Sequence, residues 1–338
     1  RDPVVLTDTL HALGRALVHS VRGYDGEGSI VLHHALGLVR GQKRPAVEGD
    51  VLRELAFVDV QAGRHTSAAR TLSAAMLQAD LAADDALRAG VLALQGMNSA
   101  DLGRHVRASD LLSRSAATAA NAGQVRQQAW SLGVLARSLL LGGDPTAARA
   151  AADESIGIAR RERWNAFLPW PQVLHAQTLV EEGRRDAAKA EAEEAFALAC
   201  ELGDPCWEGM AARALGLIAS QDGDRDGAHR WLAQAHRRAD RVSDRYVWVS
   251  AYVGLADLHV CRAHGDDVRP AAQRLHDAAL RADLPELLAW ALVHLAESGD
   301  TTRVGPAQAA AAGLDDPALK ARAEALGPSR EDVHDVHV

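Results

Sequence analysis

The stretch DPCWEGMAARALGLIASQDGDRDGAHRWLAQAHRRADRV, residues 204–242, holds one complete structural unit and sets the frame for the chain around it. Asp204-Pro205 is a helix N-cap followed by proline at the first helical position. The small and apolar residues that follow predict a helix to about Gln221. Gly223 ends it, Asp224 caps a second helix, and that helix is expected to reach about Val242. Each helix would hold roughly 16–18 residues and measure about 25 Å.

Working outward, Gly223 is the last of six glycines placed forty residues apart, the others being Gly23, Gly63, Gly103, Gly143 and Gly183. Only 28 of 338 residues are glycine, so one phase held six times marks a stack of like units. Seven residues before each glycine stands a small residue: Ala16, Ala56, Gly96, Ala136, Ala176, Gly216, continuing to Ala256 and Ala296. Five residues after each glycine from Gly63 onward comes Ala68, Ala108, Ala148, Ala188 or Ala228, and four further on Leu72, Leu112, Ala152, Ala192 or Leu232. A spacing of four keeps both on one helix face. Similar helix starts are expected at Asp84, Asp144-Pro145, Pro171, Asp283-Leu284-Pro285 and Asp316-Pro317.

The fold class that follows is all-α: a right-handed α-solenoid of about eight antiparallel helix pairs. Residues 1–326 form one superhelical domain in this reading, and 327–338 a disordered polar tail. Short terminal helices are expected at 304–312 and 317–326. The frame breaks twice. Residues 163–171 interrupt helical periodicity with two prolines, and the turn around Gly265-Asp266-Asp267 runs two residues long.

Composition narrows the function classes. Hydrophobic residues are 48%, charged residues 24% and aromatics only 4%, which favours close helix packing over sheet. The net charge is −8, from 37 basic and 45 acidic residues, and the pI is about 6.0, so direct nucleic-acid binding is not expected. Three cysteines, Cys200, Cys206 and Cys261, make no disulfide framework and fit a reducing, cytoplasmic setting. No stretch of 18 uncharged apolar residues is present, so no membrane partner is expected. The start at Arg1-Asp2-Pro3 lacks Met and any signal-peptide pattern, and the chain is expected to be part of a longer protein.

Catalytic and metal-binding motifs are missing. There is no G-x-x-x-x-G-K-[ST] loop, no H-E-x-x-H and no C-x-x-C. The close histidine pairs are His33-His34 and His334 with His337, the second in the expected tail. His65 and His105 follow the turn glycines at one phase, as near-cap turn residues. Cys200 and Cys206 flank an inter-unit turn and are expected to be packed free thiols. The expectation is therefore a chain that is no enzyme and carries no cofactor and no metal.

The unit resembles the tetratricopeptide repeat, whose pattern is L-G, a turn glycine, then A-x3-F. Leu215-Gly216, Gly223, Ala228 and Leu232 match at that family's spacings, as do Leu55-Ala56, Gly63, Ala68 and Leu72, and Leu135-Ala136, Gly143 and Ala148. The period of forty departs from the family's thirty-four, the added residues lengthening the helices. HEAT and armadillo arrays share the longer period and rank second. The long unit also resembles the sensor domain of maltose-activator and LuxR-type bacterial signal-transduction ATPases, a likeness carried by Leu202-Gly203-Asp204-Pro205-Cys206-Trp207-Glu208-Gly209-Met210-Ala211. That resemblance implies a module that binds an inducer or partner and controls an adjacent nucleotide switch. The C-terminal residues do not resemble a LuxR-type DNA-binding helix pair.

In that family the first helices line the concave groove. Its groove positions fall on Trp130, Trp170, Met210, Ser250 and Trp290 in one column, on Arg53 and Arg213 in the next, and on Phe57, Met97 and Arg137 one residue past the small ladder. The binding candidates are thus Trp130, Trp170, Met210, Trp290, Arg53, Arg137 and Arg213. Large rings and guanidiniums are the common anchors of binding surfaces, though a Trp at this phase can equally staple neighbouring units. Trp207, Trp231 and Trp248 are off the phase and expected in the core. The function implied is a sensor or interaction module, the tetratricopeptide-like part of a larger bacterial ATP-dependent transcriptional regulator, binding a peptide, a protein or a small effector. The alternatives are a stand-alone scaffold or adaptor, and a regulatory array of a larger enzyme.

Overall fold

A computed structural model describes residues 2–20 and 25–327; Gly23 and the expected tail beyond Gly327, with His334 and His337, lie outside the described residues. Seventeen α-helices and no strand occur among the described residues. They pair in order: α1 (Pro3–Ser20) with α2 (Asp25–Val39), α3 (Pro45–Gln61) with α4 (His65–Ala82), α5 (Asp85–Asp101) with α6 (His105–Asn121), and α7 (Val125–Leu141) with α8 (Pro145–Arg161). Then follow α9 (Pro169–Glu181) with α10 (Arg185–Leu202), α11 (Pro205–Gln221) with α12 (Arg225–Ala239), α13 (Val247–Ala263) with α14 (Arg269–Arg281), and α15 (Pro285–Glu297) with α16 (Val304–Ala312). A last helix, α17 (Pro317–Glu324), covers the end of the stack.

The repeat frame has physical causes. Gly63, Gly103, Gly143, Gly183 and Gly223 all lie in the left-handed region, with φ from +68° to +84°, and reverse the chain between paired helices. Within a unit the helices approach over the small ladder. A Cβ at Gly96 would stand 2.5 Å from Leu112 Cγ, and Ala56, Ala136 and Ala176 are fully buried. The Ala and Leu ladder of the second helices is equally closed: Ala68, Leu72, Ala108, Leu112 and Ala228 are all 0% exposed. Side chains of Asp84, Asp144, Asp204, Asp224 and Asp316 each accept a backbone N–H of the first turn they precede.

Some boundaries differ from expectation. Asp283 caps nothing; it is the left-handed residue of the turn, with φ +50°, and Leu284 takes the cap position of α15. Helix α9 starts at Pro169 rather than Pro171, because Pro at both the first and third positions is compatible with a first turn that needs no donors. The turn near 265 is two residues longer, as expected: residues 264–268 separate α13 from α14, where three residues separate the helices of the second to sixth pairs. Helix α12 stops at Ala239 and the chain tightens into a 3-10 turn at Asp240–Val242. Cys206 and Cys261 are buried, but Cys200 is exposed.

Curvature follows from which helices meet. From α3 to α15, every first helix contacts the next first helix, whereas second helices make at most marginal contact with one another among the described residues. The first helices therefore form the tighter inner wall, and the second helices splay outside. The curl is strong enough that the turns of the second and third pairs rest on the seventh and eighth. Trp248 Nε1 donates to Gln61 Oε1 at 2.6 Å, His65 Nε2 lies 3.2 Å from the Ala282 carbonyl, and His105 Nε2 lies 2.6 Å from Glu286 Oε2. Asp315 N donates to the Gly103 carbonyl at 3.1 Å. His65 and His105 are thus buried parts of a seam joining the two ends of the superhelix, beyond the local turn role their phase suggests.

The seam makes two turn glycines unequal. A Cβ at Gly143 meets nothing within 4 Å, so Gly143→Ala should cost only the left-handed backbone strain, about 1–2 kcal/mol. At Gly63 the Cβ would come 2.6 Å from the Ala282 carbonyl oxygen, so Gly63→Ala adds an overpacked seam and should cost about 3 kcal/mol or more in urea unfolding.

Candidate functional site

The inner wall encloses a cavity of about 630 Å³ between the first, second, third and fourth helix pairs and the junction that follows. First helices supply most of it: Arg15 from α1, Arg53, Glu54 and Phe57 from α3, Leu94 from α5, and Arg126 and Trp130 from α7. The remainder comes from the broken junction, where α9 starts four residues late. The released residues Trp164, Ala166 and Phe167 project into the trough instead of opening a helix. Trp207, in the first turn of α11, closes the far side.

The apolar lining is a connected set of rings. Trp164 stacks on Phe167 at 4.4 Å, and Trp207 stacks on Trp170 at 5.2 Å. The Trp207 indole N–H donates to the Ala166 carbonyl at 3.2 Å, which ties the junction to α11. A deeper recess of about 60 Å³ continues past Phe57, Trp130 and Trp207 to Trp170, Trp248 and Arg137. A third hollow, about 370 Å³, shares Arg15, Arg53, Gly90 and Gln127 with the main cavity and extends it toward Asp50.

Charge at the rim is organised around Glu54, which is fully buried. It holds the Arg53 guanidinium, lies 2.6 Å from His19 Nε2, and is 3.3 Å from Arg15. Burial raises the Glu54 carboxyl, but Arg53 and the His19 hydrogen bond outweigh it and hold it below the ordinary range. Asp50 is treated alike: burial raises it, and Arg53, His11 and Arg15 pull it well below. Arg53, for its part, is held above its usual value by Glu54 and Asp50 despite burial. Arg126 differs. It is exposed, its guanidinium lies over the Trp164 ring at 5.6 Å, and it pairs with no carboxylate among the described residues. The cavity therefore offers apolar faces and a free cation beside a neutralised cluster.

The candidates from the sequence are distributed unevenly. Trp130 and Arg53 line the main cavity; Trp170 and Arg137 line only the deep recess, and Arg137 is 4% exposed with its charge met by Asp101 at 2.5 Å. Met210 is packed into the core and lines none of these three hollows. Trp290 lies elsewhere on the wall, against His259, His294 and the Arg322 guanidinium. Arg213 is 7% exposed and donates from Nε to the Tyr252 carbonyl at 2.9 Å. Trp207, expected in the core, is half-buried in the cavity wall instead. Trp164, Phe167 and Arg126 were not singled out. A signal existed: Val47, Leu87, Gln127, Phe167 and Trp207 share one forty-residue phase, three residues ahead of the Trp130 column, and all line these hollows.

No protein-family model matches the chain, and no curated protein sequence does. Solved structures do. A Rap protein complexed with competence and sporulation factor superposes with a TM-score of 0.67 at 12% identity, over 99% of each chain. NprR in complex with its cognate peptide NprX gives 0.60 at 14% identity, over 96% of this chain and 98% of that one. A STAND protein with a tetratricopeptide-repeat sensor, from Pyrococcus horikoshii, gives 0.54 at 14% identity, over 95% of this chain and 50% of that one. The fold is that of a tetratricopeptide-like superhelix. In its terms, each tetratricopeptide-like unit contributes a first helix to the groove, and the cavity sits where the fourth unit hands over to the fifth.

The Glu54 cluster has a measurable signature. Because the folded carboxyls of Asp50 and Glu54 lie below their ordinary values of 3.8 and 4.5, their stabilisation is complete above those values and is lost as pH falls through the depressed ones. Glu54→Gln leaves Arg53 short of a buried partner and should lower stability at pH 6 by about 3 kcal/mol, with a shallower loss between pH 5 and pH 2, in urea titrations at stepped pH.

Proposed function

We propose that this chain is a binding module that captures a short peptide, or an extended segment of a partner protein, in the aromatic cavity of its concave face. The observation that carries the reading is the cavity itself: about 630 Å³ walled by Trp130, Trp164, Phe167, Trp207 and Phe57, with the Arg126 cation free at its edge. Such a hollow matches the size and lining of ligand sites, and flat rings bury large area at small entropic cost. Two proteins of like fold are described with bound factors, one with competence and sporulation factor and one with a cognate peptide. That supports a peptide over a small effector.

The module acts by recognition rather than catalysis in this reading, with residues 1–326 as one superhelical unit working in the cytoplasm. We place it as the sensor of a larger signal-transducing regulator. The STAND protein, half of whose length is matched by this chain, is the support for that placement. A peptide that bridges Trp130, on α7, and Trp207, on α11, would clamp two units together and lower the free energy of one superhelical curvature over others.

Tryptophan emission supplies the assay, since Trp130, Trp164 and Trp207 all face the hollow. A library of three- to six-residue peptides is titrated against the chain and the tightest binder is kept. Trp130→Ala and Trp164→Ala should each weaken that binder at least tenfold, about 1.4 kcal/mol or more, with unfolding midpoints little changed. A binder indifferent to both substitutions would remove the cavity as the site.

A further inference from the structure

Three arginines of the first helices lie on or near the inner wall, Arg137 and Arg213 buried and Arg53 half-buried, and they are not treated alike. Arg53 is neutralised by Asp50 and Glu54. Arg137 is neutralised by Asp101. Arg213 has no carboxylate partner among the described residues, although it is 7% exposed. Its Nε is used by the Tyr252 carbonyl, while Nη1 and Nη2 make no hydrogen bond to the described residues and keep contact with solvent. The comparison with Arg53 is close, since the two occupy the same repeat phase four units apart. Where Arg53 has Asp50 and Glu54, Arg213 has Met210 and Ala214.

The surroundings deepen the imbalance. On α13, His259 is exposed and lies near enough to Arg213 for that charge to act on it. Desolvation by the surrounding wall, then the Arg213, Arg322 and Arg262 charges, push its imidazole below the ordinary histidine range, although the side chain keeps an exposed edge. Burial, opposed only by Tyr252, lowers Arg213 to about 10. Of the neighbouring cations, Arg322 is paired with Glu297, and Arg262 has no carboxylate partner among the described residues. An unpaired buried guanidinium costs several kcal/mol, and native chains seldom keep one without use.

We propose that Arg213 is the anchor of a carboxylate-binding site on the C-terminal half of the concave wall, with His259 as its neutral neighbour. The free Nη1 and Nη2 present the end-on fork that a carboxylate takes in two parallel hydrogen bonds. The carboxylate comes either from a peptide, as its C-terminus, or from a free small carboxylic acid. The site stands on its own residues and does not depend on what fills the aromatic cavity.

The test is a thermal-unfolding and calorimetric titration of the whole chain at constant ionic strength with glutarate, N-acetyl-trialanine and N-acetyl-trialanine amide. Wild type should gain stability with at least one of the two carboxylates and none with the amide. A response to both acids assigns a small carboxylate, and a response to the peptide acid alone assigns a C-terminus. Arg213→Met, which keeps the aliphatic bulk, should melt no lower than wild type and bind the responding probe at least tenfold more weakly. His259→Glu places a carboxylate within the chain beside the guanidinium; it should melt higher and lose the response, and it decides the matter if Arg213→Met fails to fold. No response in wild type overturns the proposal. So does a response retained in Arg213→Met or, where that variant is unfolded, in His259→Glu.

Discussion

The close approach of the two helices in each unit is the constraint on which everything else rests. Each first helix carries a small residue where its partner passes, and at Gly96 and Gly216 even a methyl group would crowd Leu112 and Leu232. The contact fixes the spacing within a pair and leaves the second helices broad on the outside. Pairs of that wedge shape can stack only by bringing their first helices together, which curves the stack inward. Curvature summed over successive units then brings Gly63 against Ala282 and Gly103 against Leu314, residues that no local rule would pair. A local packing rule thus produces a long-range seam.

The seam changes the chemistry of the wall it closes. With the ends of the superhelix joined by Trp248 and Gln61, and by His105 and Glu286, the inner wall is enclosed enough for burial to govern its titrating groups. Burial pushes Tyr252 up and drives His294 down to about 4. Charges in such a place must be met or else available for use. Most are met inside the chain, as Arg137 is by Asp101, and this is why Arg213 stands out. Trp248 belongs to both structures, being a donor across the seam and a wall of the deep recess. Occupancy of the recess and closure of the superhelix therefore share a side chain.

The fold was legible in the sequence because its causes are periodic. Turn glycines, small residues and the Ala and Leu ladders each recur at forty, and helix starts at Pro45, Asp85, Val125 and Pro205 fall on that period. The site was only partly legible. Trp130 and Arg53 were found because they occupy columns facing the groove at mid-helix. Trp164 was not, because it faces the cavity through a junction whose path periodicity cannot supply. Trp207 is off the phase of the Trp130 column, and that alone assigns it to the core, whereas the wall starts in the first turn, at the phase of Val47 and Leu87. Asp283 shows the same limit in a turn: its capping chemistry is present, but the left-handed position ahead of Leu284 claims the residue first.

A repeat array states its structure in what its units share, so function must be carried by where they differ. Equivalent positions hold equivalent backbone, which makes each departure a controlled comparison within one molecule. At the phase of Arg53 and Arg213 the helix position and the side chain are alike, Arg213 being the more buried, while the neighbours change from Asp50 and Glu54 to Met210 and Ala214. Packing alone cannot account for that difference, since a stack held by packing would neutralise both arginines or neither. The junction after α8 makes the same point in the backbone. It adds no residue to the repeat: α9 starts four residues late while α10 and α11 both stand in phase, so the residues ahead of Pro169 are not needed to continue the stack. They form the wall of the cavity, and the repeat resumes once they have done so.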